Sequence, residues 1–77
     1  MKEKLVRVIW LDATEHPSGW YSYEEAKEEK PAICQSIGWI VEMTDEFITL
    51  AADKGSHDEC GRMITLPLGM IEEIEYL

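Results

Sequence analysis

The run Ile33-Cys34-Gln35-Ser36-Ile37-Gly38-Trp39-Ile40-Val41-Glu42-Met43 decides the fold. Ile33, Gln35, Ile37, Trp39, Val41 and Met43 alternate with Cys34, Ser36, Gly38, Ile40 and Glu42. A period of two puts successive side chains on opposite faces of a β-strand. The run is longer than a flat strand comfortably extends, so this one must bend. Gly38 is the expected bend or bulge, because a missing side chain lets the sheet curl or lets another backbone come close. Thr44-Asp45-Glu46 then reads as a tight polar connection. Phe47-Ile48-Thr49-Leu50-Ala51-Ala52 resumes the extended pattern, so residues 33–52 form one β-hairpin.

Working outward toward the N-terminus, residues 4–12 are rich in β-branched and aromatic types, with Val6, Val8 and Trp10 on one side and Leu5, Ile9 and Leu11 on the other. This predicts a central strand covered on both faces. His16-Pro17-Ser18-Gly19 ends it in a loop. Ser22-Tyr23-Glu24-Glu25 fits a capping box, and Ala26 to Lys30 continue with good helix formers, so a short helix or helical turn follows. Pro31 disfavours the helical conformation at Lys30 and stops it.

Toward the C-terminus, Asp53 to Gly61 is an exposed polar loop and Arg62 to Leu66 a short strand, ended by the turn residues Pro67-Leu68-Gly69. Ile71 to Leu77 fits a closing strand or a last helical turn. The strand is preferred, because too few residues remain to nucleate a helix. The element order predicts a mainly β, single-domain protein over residues 1–77: a five-stranded, strongly bent small barrel of the Sm-like or Src-homology type, with one short helix.

Length and charge narrow the function. Seventy-seven residues bury a modest core, and such chains often gain stability by pairing exposed faces or edges with copies of themselves, so a homo-oligomer is expected. Sixteen acidic against seven basic side chains give a net charge of -9, which repels a phosphate backbone and disfavours nucleic-acid binding. The segment from Met1 to Arg7 is charged, and the apolar run after it is too short for a signal peptide or a membrane span, which points to the cytoplasm and to no membrane partner. Cys34 and Cys60 are then expected to be reduced thiols.

No nucleophile-and-base pair and no motif of paired carboxylates is present, so the chain reads as a non-enzyme without a cofactor. Ser56-His57-Asp58-Glu59-Cys60 gathers metal-ligand types, and His16 and Cys34 could in principle complete a zinc set. The spacing is not that of the usual zinc modules, and no metal is expected. The aromatic residues are more informative. Trp10 and Trp39 can serve as core filler, but Gly19-Trp20-Tyr21-Ser22-Tyr23 lies in an irregular segment where three large rings cannot all point inward. A ring beside Asp12 and Ser36 would stack on a flat ligand while the carboxylate and hydroxyl bond its edge, which makes Trp10, Asp12, Trp20, Ser36 and Trp39 the candidate ligand-binding groove. The plainer alternative is that Asp12 caps the loop after the first strand and that Ser36 is small for the sake of a tight bend.

Short motifs over most of the chain carry a resemblance: Val8-Ile9-Trp10-Leu11-Asp12-Ala13, Trp20, Ser36 to Glu42, Asp45, Leu50-Ala51, Cys60-Gly61 and Pro67-Leu68-Gly69-Met70-Ile71. Together they resemble a group of small uncharacterised bacteriophage proteins, in which a basic residue commonly follows the proline; Leu68 departs from that. The resemblance implies a phage or prophage origin and no particular activity. The expectation is a phage-encoded accessory protein acting by stoichiometric binding, with the groove sequestering a small host nucleotide signal as a counter-defence. The rival expectation is an acidic interaction module that inhibits or modulates a host protein.

Overall fold

The computed structural model describes residues 4–77, and the reading of Met1 to Glu3 lies outside them. Alternation and β-branching produce the five expected strands: β1 (Leu5–Asp12), β2 (Ala32–Met43), β3 (Phe47–Lys54), β4 (Cys60–Pro67) and β5 (Ile71–Tyr76). They form one antiparallel sheet in the order β4-β3-β2-β1-β5. Among the described residues the only α-helix, α1 (Tyr23–Lys27), is short and starts at the expected box: the backbone N–H of Glu25 donates to Ser22 Oγ, and the backbone N–H of Ser22 donates to Glu25 Oε1. No helix among the described residues is long and apolar enough to cross a membrane.

The sheet is curled but is not closed into the expected barrel, since β4 and β5 remain its two edges. The curl follows from chain length. Four strand spacings of about 4.8 Å would hold the edges of a flat sheet roughly 19 Å apart. The chain passes from Pro67 to Ile71 through a 3-10 turn at Leu68–Met70, a stretch that spans about 14 Å at most. The edges are therefore drawn toward each other. Curling also brings the inward side of β1 against β3 and β4, and the buried cluster is Val6, Val8, Ile48, Leu50 and Leu66. Trp10, Ile40, Ile64, Leu68, Ile71 and Ile74 pack around it.

Of the two roles expected for Gly38, the structure shows the close approach of another backbone. A Cβ on Gly38 would lie 2.8 Å from Ala51 O, so β3 passes too close for any side chain there. The register slip itself comes later, between Ile40 and Glu42, where Val41 is the extra residue of a bulge. Beyond Gly38, residues 32–37 of β2 pair with β1 alone.

The expectation of β1 covered on both faces is corrected. Val6 and Val8 are fully buried, but Leu5, Ile9 and Leu11 on the other side are only half-buried, because among the described residues no second layer lies over that face. The outward row of β1 is Leu5, Arg7, Ile9 and Leu11. Their cross-strand partners in β2 are Trp39, Ile37, Gln35 and Ile33.

Candidate functional site

Nineteen residues join β1 to β2, and they leave the sheet altogether. Asp12 and Ala32 form the last pair of a two-stranded ribbon, and every residue from Asp12 to Pro31 is exposed. The molecule measures 54 × 21 × 20 Å with a radius of gyration of 16.3 Å. A compact domain of this length would have about 11.5 Å. The projecting segment, residues 13–31, is an arm.

The arm is closed by its own polar contacts. Thr14 Oγ1 donates to Lys30 O at 3.1 Å and ties its two ends together. His16 Nδ1 lies 3.4 Å from Glu29 Oε2, and the hydroxyl of Tyr21 donates to Pro17 O. At α1, the Ser22 backbone N–H and then its hydroxyl hold the Glu25 carboxyl below its ordinary value. These bonds shape the arm without burying any of it, since α1 has no buried residue. Trp20 is 102% exposed and Tyr23 85%; Tyr21, tethered by its hydroxyl, is less so. The arm with Asp12 carries six carboxylates (Asp12, Glu15, Glu24, Glu25, Glu28, Glu29) against Lys27 and Lys30, a net -4.

The five residues expected to form a groove are distributed among three places. Trp10 and Ser36 meet on the inward side of the ribbon, where the indole N–H donates to Ser36 Oγ at 3.0 Å. Asp12 shares that side by alternation but is exposed at the ribbon's end. Trp20 stands out on the arm. Trp39 pairs with Leu5, an odd number of residues from Trp10 along β1, and so lies on the opposite, outward face. Its ring is covered by Lys54, whose Nζ sits 5.0 Å from the ring centroid. The plainer reading of Ser36, a small residue at the bend, thus gains a definite partner in Trp10.

The polar segment 53–61 is a hairpin tip, shorter as a loop than expected because β3 runs to Lys54 and β4 begins at Cys60. Arg62 adopts a positive φ of 48° and clamps Asp53 through two hydrogen bonds of 2.6 and 3.0 Å. The clamp holds the Asp53 carboxyl below its ordinary value and the Arg62 guanidinium above its own. The Cys60 thiol points to Met63 Sδ at 3.7 Å. Among the described residues, no three His, Cys, Asp or Glu side chains converge on a point that could hold a metal ion.

Sequence reasoning missed the exposure of Ile33 (74%) and Ile37 (59%) on the outward row of β2. The signal was there: Gln35 sits between them in the same row, and a sealed apolar face does not carry a glutamine without a partner. No protein-family model, curated protein or solved structure matches the chain.

Proposed function

We propose that the protein acts without catalysis, by stoichiometric binding of a protein partner, and that the arm is its gripping element with Trp20 as the anchor. One observation carries this reading: a tryptophan with its whole surface in water, on a segment shaped by its own hydrogen bonds and packed against nothing. A solvated indole gains nothing for the fold, whereas aromatic anchors are enriched among the few side chains that dominate binding energy. The partner's site is a basic groove with an apolar pocket, complementary to the arm's net -4 and its rings. The resemblance to small phage proteins supports a partner from the host cell, in the cytoplasm. The curled, open sheet serves as scaffold in this reading.

Sequestration of a nucleotide is the second reading, favoured by Trp10, Asp12 and Ser36 sharing one side of the ribbon. It is the weaker of the two, because the indole N–H and the serine hydroxyl satisfy each other and the other two rings stand elsewhere. Immobilised wild-type protein and the Trp20→Ala variant, exposed to the same host extract, separate the readings. A protein retained by the wild type alone, and then bound in a 1:1 ratio by the purified pair, supports the arm. Equal retention by both rejects it. A nucleotide that raises the melting temperature of both variants alike would favour sequestration.

A further inference from the structure

The outward face of β1 and β2 poses a separate question, independent of the arm. On a chain of net charge -9, the two outward rows contain no carboxylate; Arg7 is their only charge, and Gln35 their only other polar side chain. Ile33 and Ile37 lie open on this face, flanked by the half-buried Ile9 and Leu11. The acids flank it on one side, where β5 places Glu75 opposite Arg7 and Glu73 opposite Ile9. Arg7 Nη2 bonds Glu75 Oε1, yet Arg7 Nε is the one buried side-chain nitrogen or oxygen among the described residues with no hydrogen-bond partner.

We infer that this face is where a second copy of the chain docks, sheet against sheet. Charge selects the occupant. A basic partner is drawn to the acidic arm, and Arg7 gives it nothing on this face. Two copies, each strongly negative, repel one another everywhere except where carboxylates are missing. The face is also complementary to itself, because its cation and its flanking acids lie side by side, so a copy related by a two-fold axis presents acceptors to Arg7 while its own Arg7 meets the same acids. Aligned packing of two such sheets seals Ile33 and Ile37 in a layer about 10 Å thick. Two rows on two strands cover roughly 20 by 10 Å, far below the ~800 Å² each partner contributes to a standard interface. The dimer is therefore concentration-dependent and not obligate.

Light scattering on the full chain from about 5 to 500 µM, on the order of its expected dissociation range, tests the inference. The wild type should pass from monomer to dimer across that series. Ile33→Lys with Ile37→Lys should remain monomeric throughout. That pair of changes takes the net charge from -9 to -7, so repulsion between the chains as wholes does not grow and any loss of association is specific to this face. Circular dichroism unchanged from the wild type shows that the variant is folded; should it unfold, Ile37→Gln takes its place and should weaken association at least tenfold. Trp20→Ala should dimerise like the wild type. A wild-type monomer at 500 µM overturns the inference, and so does a lysine variant that still dimerises or a Trp20→Ala variant that does not. None of these results depends on whether the arm binds a host protein.

Discussion

Trp10 Nε1 donates to Ser36 Oγ at 3.0 Å, joining side chains 26 residues apart on adjacent strands. The bond lies one pleat from the buried Val8, where water reaches the indole poorly. Ser36→Ala leaves the indole N–H without its acceptor and should cost about 1 kcal/mol in urea unfolding. In a double-mutant cycle with Trp10→Phe, the coupling should be of similar size. A coupling indistinguishable from zero would mean that water replaces the hydroxyl.

Gly38 is the position where β3 leaves no room. Gly38→Ala places a Cβ 2.8 Å from a backbone oxygen and 3.2 Å from Leu50 Cβ, so the strands must move apart. The expected loss is about 1–3 kcal/mol, and Gly38→Val should lose more. Gly61→Ala is the control. A Cβ there meets nothing within 4 Å, and its stability should change by about 0.5 kcal/mol or less.

Trp20 and Trp39 should separate cleanly in denaturation. Trp20→Ala removes a ring that touches nothing and should leave the unfolding midpoint within about 0.5 kcal/mol of the wild type. Trp39→Ala loses a half-buried ring and its Lys54 contact, and should cost more than about 1 kcal/mol. It should stay below the roughly 3–5 kcal/mol of a fully enclosed tryptophan. Equal destabilisation by both would place Trp20 in the core and remove the arm as a gripping element.

Acid should loosen the arm before it touches the core. Glu25 is held below its ordinary value of 4.5 by Ser22, and Asp53 below 3.8 by Arg62. A carboxyl whose pKa is lower folded than unfolded contributes stability that is fully present above the unfolded value and is lost as pH falls through the folded one. Acidification below 4.5 should thus fray α1, and below 3.8 open the tip of the β3–β4 hairpin. Both sites are solvent-exposed, so the effects are local. Amide and carboxyl shifts followed by NMR should give a Glu25 midpoint below 4.5; a midpoint at or above that value contradicts the capping box.

Most of the fold was legible from the chain because its cues are local. Period-two alternation from Ile33 to Met43, the Ser22–Glu25 box, the proline at 31 and the Pro67 to Gly69 turn each act within a few residues, and each element formed where its cue stood. The candidate site was legible only in part. The exposed rings between Gly19 and Tyr23 could be singled out, since three adjacent large aromatics in an irregular segment cannot all be buried. Whether Trp39 faced Trp10 could not, because that depends on a register between strands that the sequence does not print.

The sequence by itself therefore determined the strands, the helix and the acidity. Tertiary structure decided that the sheet stops short of closure, that β1 is covered on one side only, and that the five supposed groove residues part company. The physical reason is the same in each case. Pairing register, curl and the covering of a face arise from contacts between residues dozens of positions apart, and the missing layer left only Gln35, between Ile33 and Ile37, as its local mark. An isoleucine on an open face and one in a core are the same letter until the opposite surface is known.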